Sequence, residues 1–512
     1  MLVNIFGAKC IGIDAFKVIV EVDITMGIGI HLCGLADVAV KESLLRTVTA
    51  LQSLSYHIPG KKIVINLAPA NLQKNGSGYD LPIAIGIIAA SEQRALIRTG
   101  ETLIMGELGL DGSVRDICGG LPIADFAKKE GLKACILPYN SAMEAREMEG
   151  IQIYGVRNLS EAVEILEGRL EAEEYLINGK IIPCVEEEAS SPIDFSEIIG
   201  QQGAKRAMEI AAAGGHNIIM IGAPGSGKSS LAKAMAGILP PLSKEESFVC
   251  RKIYSIAGKS FSSACALRGR PFRNPHYSAS LAAMVGGGGK DNIIPGEVTL
   301  AHLGVLFLDE FNLMPKATIE ALRAPMEDRK VIISRLKYKV EYPASFTLVA
   351  AANPCACGYW GEGDRCTCSP AQRQQYISRL SGPIMDRMDL QVWVHPLSAA
   401  QLRSAKSSEP SEAIAARVLK AREIQSKRFE GTGISCNAEM DRKAIDKFCR
   451  LGENESEVLS QLMESMEFSM RAYYRIIKVS KTIADLEGCD QIESRHLMEA
   501  AGYRFLDKKD LL

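Results

Sequence analysis

Residues 222–230 read GAPGSGKSS, and the reading of the whole chain turns on them. The apolar run HNIIMI (216–221) leads in and SLAKAMAGIL (230–239) leads out, so a strand enters a glycine-rich loop and a helix leaves it. From Gly222 to Ser229 the loop matches G-x-x-x-x-G-K-[ST]. Glycines at these positions let backbone N–H groups converge on phosphate oxygens, and the N-terminus of the following helix adds a favourable dipole. Gly222, Ala223, Pro224, Gly225, Ser226, Gly227, Lys228, Ser229 and Ser230 are therefore expected to bind ATP. Lys228 would neutralise the β- and γ-phosphates and Ser229 would ligate Mg²⁺.

Two later strands fit the same site. GVLFLDE (304–310) reads as a buried strand delivering Asp309 and Glu310 at its C-terminal end, where open α/β sheets bind ligands. Asp309 is expected to hold Mg²⁺ through its water shell, and Glu310 to polarise the attacking water. SFTLVAAANP (345–354) ends at Asn353, whose amide can contact both the γ-phosphate and that water. Asn-Pro pairs otherwise mark turns; the place of this one after the Asp-Glu strand makes Asn353 a sensor candidate. Directly behind it stands CACGYWGEGDRCTC (355–368), with Cys355, Cys357, Cys366 and Cys368. Spacing two puts both sulfurs of a pair on one side of extended chain, and Gly358, Gly361 and Gly363 let one pair fold onto the other. Four thiolates gathered this way suit a structural, tetrahedral Zn²⁺; unmetallated thiols and disulfides are the alternatives. C-x-C spacing is less diagnostic than C-x₂-C. A zinc loop here would brace the chain between Asn353 and Arg387.

At 512 residues, 47% hydrophobic and 23% charged, the chain has a globular composition and exceeds one compact core. A formal net charge of -2 gives no global basic signature, so any nucleic-acid contact must come from local patches. The opening MLVNIFGAKCIGID lacks a charged segment followed by a long apolar run, and the longest apolar stretches, such as LPIAIGIIAA (81–90), are too short to span a bilayer. Cysteines scattered singly among apolar neighbours read as reduced thiols, so a cytoplasmic location without a membrane partner is expected. KKIVINLAP and TLIMGELGL read as strands, SAMEAREME and LSEAVEILEGRL as helices. A break at YLINGKIIPCVEEEASSPID (175–194), with its acidic cluster, reads as a solvated linker. From Pro396 onward the pattern is helical, as in SEAIAARVLKAREIQSKRF and YYRIIKVSKTIADLEG.

These elements, with RGRPFRNPHYSASLAAMVGGGGKDNIIPGEVTLAHLGVLFLDE (268–310), ALRAPMEDRKVIISR (321–335), SRLSGPIMDRMDL (378–390) and SMRAYYRIIKVSKTIADLEG (469–488), resemble the magnesium-chelatase-like branch of AAA+ ATPases and, within it, the ComM (YifB) family. The resemblance covers nearly the whole chain. It implies an α/β multidomain fold: an N-terminal Lon-protease-like (ribosomal S5 domain 2-like) α+β domain at 1–170, a linker at 171–194, an AAA+ P-loop α/β domain at 195–395 and a C-terminal helical lid at 396–512. It also implies a homo-oligomer, a hexameric ring with active sites at subunit interfaces. Arg387 then occupies the place of the arginine finger that reaches a neighbour's γ-phosphate, and Arg471 that of the second sensor arginine. A surface ion pair of Asp386 with Arg387, and a plain surface or capping role for Arg471, are the simpler readings. Two inserts are candidates for gripping DNA in the pore. One holds Arg268, Arg270, Arg273 and Gly286 to Gly289 with Lys290; the other is a hairpin on which Arg335, Lys337 and Lys339 recur at spacing two, on one face of extended chain.

The first domain resembles the proteolytic domain of Lon proteases through MGELGLDGSVRDICGGLPIA (105–124), LKACILPYN (132–140) and KNGSGYDLPIAIG (74–86). Where that family carries its nucleophilic serine this chain has Gly78, with Ser77 one place earlier, and Pro122 stands where its lysine follows Gly-Gly-Leu. Proline cannot activate a hydroxyl, so a domain without the catalytic dyad is expected. The resemblance points to a helicase promoting branch migration on single-stranded or branched DNA, in recombination and natural transformation. A chelatase-type motor for metal insertion and an ATP-dependent protein remodeller are the alternatives.

Overall fold

The computed structural model describes residues 2–507 apart from 35–37, 75, 180–192, 262–268, 289–292, 336–337, 362–364, 379–381 and 398–407. Most of the expected linker, Asn75, Arg268, Gly289, Lys290, Lys337 and the start of the expected lid therefore lie outside the described residues.

The first unit is built on a mixed seven-stranded sheet. Its strands are β1 (Val3–Ile11), β2 (Asp14–Thr25), β3 (Gly29–Cys33), β4 (Lys62–Ala68), β5 (Thr102–Ile104), β8 (Ala134–Pro138) and β9 (Gln152–Val156), in the order β3-β4-β2-β1-β5-β8-β9; β6 (Glu107–Leu108) and β7 (Val114–Arg115) form a separate small ladder. The strand expected from TLIMGELGL is thus two pieces, parted at Gly106, whose N–H donates to the Gly78 carbonyl at 2.9 Å. The helix expected from SAMEAREME stops at Met143, and the chain turns so that the Met148 and Ile151 carbonyls accept hydrogen bonds from the Asn178 side chain. Ala172 and Ile177 still belong to this core, so its packing extends past the break read at 170.

The second unit carries a five-stranded parallel sheet of β10 (Ile218–Gly222), β11 (Phe272–Arg273), β14 (Val305–Leu308), β17 (Thr347–Ala352) and β18 (Leu390–Val394), in the order β11-β14-β17-β10-β18. Every residue of β10, β14 and β17 is buried, as expected for a parallel sheet covered on both faces. Alternation divides the two covers. Ile218, Met220, Phe307 and Val349 pack against the helices Gln202–Gly214, Lys228–Ile238, Ser411–Arg428 and Met470–Glu487. Ile219, Ile221, Leu306 and Leu348 pack instead with Val331, Val340 and Tyr342 of an antiparallel hairpin, β15 (Lys330–Arg335) and β16 (Tyr338–Pro343). A short ladder of β12 (Gly286–Gly287) and β13 (Ile294–Pro295) lies beside it.

The two units share a polar and an apolar seam. The Lys252 ammonium, on the helix Lys244–Ile256, pairs with Asp125 of the first unit, and the Ser255 carbonyl accepts from the Gly119 N–H at 3.0 Å. The turn between β1 and β2 presses on β16: a Cβ added to Gly12 would lie 3.1 Å from the Glu341 carbonyl oxygen, while Ile11 and Ile13 pack on the hairpin core. A cavity of about 340 Å³ opens at this junction, lined by Cys10, Ser77, Gly78, Ile256, Val340 and Tyr342 among others.

Candidate functional site

The phosphate loop leaves the C-terminal end of β10, which is hydrogen-bonded to β17 on one side and β18 on the other. Gly222 is required by close packing, since a Cβ there would stand 2.2 Å from the Val394 carbonyl oxygen. Gly225 and Gly227 hold left-handed backbone, with φ of 76° and 96°, the conformation that turns successive N–H groups inward. Lys228 is buried, and its Nζ donates to the Gly222 and Ala223 carbonyls at 2.7 and 2.9 Å. Burial lowers the affinity of this amine for its proton, and Asp309 partly offsets that. The Ser226 hydroxyl is buried with no protein partner.

The acidic strand and the sensor strand end beside this loop. Ser229 Oγ donates to Asp309 Oδ2 at 2.9 Å, and Asn353 Oδ1 accepts from Lys228 Nζ at 3.4 Å. Glu310 sits at φ 49°, a left-handed backbone costing of order 1–3 kcal/mol for a non-glycine residue. Its N–H donates to Asp309 Oδ1 at 2.9 Å. Lys228, Ser229, Asp309, Glu310 and Asn353 thus gather at one end of the sheet.

Arg387 and Arg471 do not join them. Arg387 lies three residues before the start of β18, at the opposite end of the sheet, where the Asn217 side chain donates to its carbonyl at 3.3 Å. Arg387 is buried and paired with Glu327 at 2.5 Å, not with Asp386. Asp386 pairs instead with Arg471, at 3.0 Å. The two arginines are therefore neighbours of each other, and a brace between Asn353 and Arg387 does not bring those two residues to one phosphate within a chain. The neighbouring Asp389 would be raised by its burial, but the Arg475 guanidinium and His216 outweigh that and hold it well below the usual carboxylate range.

The four cysteines converge as free thiols. Sγ–Sγ separations are 3.3 Å for Cys355–Cys357, 3.8 Å for Cys355–Cys366 and 3.7 Å for Cys357–Cys366, and all four sulfurs lie within 4.8 Å of one another. Burial pushes the Cys355 thiol up to about 12, whereas backbone N–H groups of Tyr359 and Thr367 draw the Cys357 thiol down to about 5.

The basic inserts differ from their expectation. Register pairs Arg335 with Tyr338 and Ser334 with Lys339, so Arg335 and Lys339 fall at alternate positions of the backbone ladder. Spacing two holds a face only along one strand. Lys339 is exposed. Arg270 is a strut, donating to the Leu303 carbonyl at 2.6 Å and to the Pro240 carbonyl, and Arg273 is paired with Glu297 at 2.6 Å. In the first unit the Ser77 hydroxyl donates to Glu107 and the Lys74 ammonium to the Pro69 carbonyl; Pro122 lies buried in the helix Gly120–Lys129.

Three residues escaped the sequence reading. Gln201, at φ 58°, donates to the Ser226 carbonyl at 3.4 Å; only the preceding Gly200 hints at this turn. Glu327 holds Arg387 through tertiary contact, without any local signal. Asn217 ties β10 to β17 and to the Arg387 carbonyl, and its polarity at the head of an apolar strand could have marked it.

Three family models match the chain. The one described as "Magnesium chelatase, subunit ChlI" covers residues 194–402, "Subunit ChlI of Mg-chelatase" covers 20–141, and "Magnesium chelatase, subunit ChlI C-terminal" covers 408–504. The chain is 39% identical over 502 residues to the uncharacterized protein YifB of Salmonella typhimurium, covering 97% of this chain and 96% of that one. It is 38% identical over 507 residues to the competence protein ComM of Haemophilus influenzae, covering 98% and 97%. Similarity to the magnesium-chelatase 38 kDa subunit of Cereibacter sphaeroides is 25% over 181 residues, 32% of this chain and 53% of that one. No described helix is long and apolar enough to cross a membrane.

Proposed function

The chain belongs to the magnesium-chelatase-like family of AAA+ ATPases that includes YifB and ComM, and on that premise we propose that it is an ATP-hydrolysing ring motor acting on single-stranded or branched DNA. The observation that carries the reading is the division of the site. One chain holds Lys228, Ser229, Asp309, Glu310 and Asn353 at one end of a sheet and Arg387 with Arg471 at the other. The site is complete only when a second copy brings its arginine end to the first copy's phosphate loop, and closed rings, here a homo-hexamer, satisfy that requirement for every copy. Arg471, bound to the residue before Arg387, then works in trans with it. Arg387 must exchange Glu327 for a phosphate, which ties hydrolysis to assembly.

The residues fit the implied ligands. The unpartnered Ser226 hydroxyl and the left-handed glycines form a cradle for phosphate, and a hydroxyl with a carboxylate at 2.9 Å suits Mg²⁺. Mg²⁺, when bound, neutralises charge developing on the phosphates. Lys228 orients the phosphate chain, Glu310 and Asn353 position the water, and the neighbour's Arg387 stabilises transition-state charge. The four cysteines suit a structural Zn²⁺. DNA would meet exposed Lys339 and the glycine-rich insert, a local contact consistent with a net charge of only -2. Similarity to a competence protein over 98% of the chain supports a place in natural transformation, and branch migration in recombination is the action we propose for it there.

The test is the steady-state ATPase rate with and without single-stranded, duplex and four-way-junction DNA at two salt concentrations, with Glu310→Gln as the blank. Stimulation that weakens with salt is expected. A rate indifferent to every DNA would remove the DNA reading and leave the chelatase-type motor, which the Cereibacter sphaeroides relative favours across 32% of the chain.

A further inference from the structure

We infer that the four-cysteine loop is a metal-dependent clamp on the phosphate loop, in which Zn²⁺ on Cys355, Cys357, Cys366 and Cys368 fixes Gly358 against Pro224 and so holds the loop in its ATP-binding form. This rests on the zinc reading above and adds a role to it. The sulfur positions are close to those the metal needs: four thiolates about 2.3 Å from a tetrahedral zinc have edges of about 3.8 Å, against 3.3, 3.7 and 3.8 Å among Cys355, Cys357 and Cys366, with Cys368 Sγ within 4.8 Å of all three. Among the described residues between Ala352 and Pro370 there is no α-helix or strand, so these residues have no ladder of their own to hold their shape. In such segments metal binding supplies the ordering free energy.

The loop touches the nucleotide site at both flanks. A Cβ added to Gly358 would lie 2.8 Å from Pro224 Cδ and 2.9 Å from its Cγ, and Gly358 sits at φ 85°, so backbone alone fits against that ring. Two residues on, Trp360 meets Trp393 of β18 edge-on, with ring centroids 5.7 Å apart, and a Cβ on Gly361 would stand 3.0 Å from the same indole. β18 is the strand paired with β10, and Cys355 is two residues past Asn353. Fixing four sulfurs therefore fixes a contact on Pro224, a contact on β18 and the exit of the sensor strand together.

The coupling has a built-in reporter. The chain has 2 tryptophans, and they are Trp360 and Trp393. Full-length protein purified without added metal is expected to carry about one zinc per chain by elemental analysis. Removal of zinc by a chelator should shift tryptophan emission and weaken binding of a fluorescent ATP analogue with Mg²⁺ by about tenfold or more, and by linkage the analogue should strengthen zinc retention by the same factor. Gly358→Val, which leaves every sulfur in place, should keep the zinc and lose nucleotide affinity; circular dichroism checks its fold. Zinc-free protein, with Cys357→Ser indistinguishable from the parent, would overturn the zinc reading and the clamp together. Zinc present but removable with nucleotide affinity unchanged, and Gly358→Val binding normally, would overturn the clamp alone.

Discussion

Lys228→Ala and Arg387→Ala proteins, each inactive alone, are expected to regain ATPase activity when mixed. Ile218 of β10 is level with Leu390 of β18, and Gly222 with Val394. Four residue steps at about 3.3 Å put the two ends about 13 Å apart, and Arg387 lies three residues further back still. An arginine side chain does not span that distance, so Arg387 has no access to its own phosphate loop. On the proposed roles, loss of the finger should lower the rate of order 10³–10⁵-fold, and loss of Lys228 should remove nucleotide binding. In a ring assembled at random from equal amounts, an interface works when its phosphate loop comes from the Arg387→Ala chain and its finger from the Lys228→Ala chain. Each condition holds in half of cases, so about one quarter of interfaces recover, and the mixed rate should approach about a quarter of the parent's when sites act independently. The assay is phosphate release across a titration of mixing ratios, with co-assembly verified by cross-linking. Absence of recovery in verified mixed rings would refute the reasoning, as would an Arg387→Ala protein that keeps near-parental activity.

Two further outcomes follow from individual contacts. Gly222→Ala places a methyl group 2.2 Å from the Val394 carbonyl and should part β10 from β18, costing about 1–3 kcal/mol and abolishing nucleotide binding; denaturant midpoint and analogue titration measure the two effects. Burial, with Arg270 nearby, lowers His302 from 6.5 to about 4, while its Nδ1 accepts the Ser345 N–H at 3.0 Å. Between those pH values the unfolded chain takes up a proton that the folded chain refuses, so stability is complete above pH 6.5 and falls as pH drops toward 4. Going from pH 7 to pH 5 should cost about 2 kcal/mol through this group. His302→Asn, which keeps an acceptor, should lose that component of the slope while other pH-dependent contributions persist.

Much of the candidate nucleotide site is legible because its chemistry is local. A strand, a glycine turn and a helix follow one another without interruption from Ile218 to Ile238 around Lys228, and two later strands announce themselves by apolar runs that lead to Asp309 and Asn353. The position of Arg387 relative to that site was not legible, since which end of β18 faces which end of β10 depends on crossovers through other elements. Glu327 is invisible for the same reason. Arg270 and Arg273 misled because charge alone does not distinguish a residue that faces a polyanion from one that caps carbonyls or pairs with Glu297 inside the fold. The hairpin misled because Arg335 and Lys339 stand on different strands, at alternate rungs of the ladder, where spacing along a single strand no longer applies.

The seat of the β1–β2 turn on the hairpin has a consequence in time. Ile11 leaves the ribosome about 329 residues before Val340, a member of the core cluster on which it packs, and at about 5–20 residues per second that interval is roughly 16–66 s. Throughout it, the first unit can complete its own sheet yet carries Ile11 on an outer turn without its hairpin cover, while Ile13 waits also for Ile253, Tyr254 and Leu300. The chain thus begins its existence with a sticky knob on a finished domain, and its solubility during synthesis depends on how well that knob is shielded until the hairpin arrives.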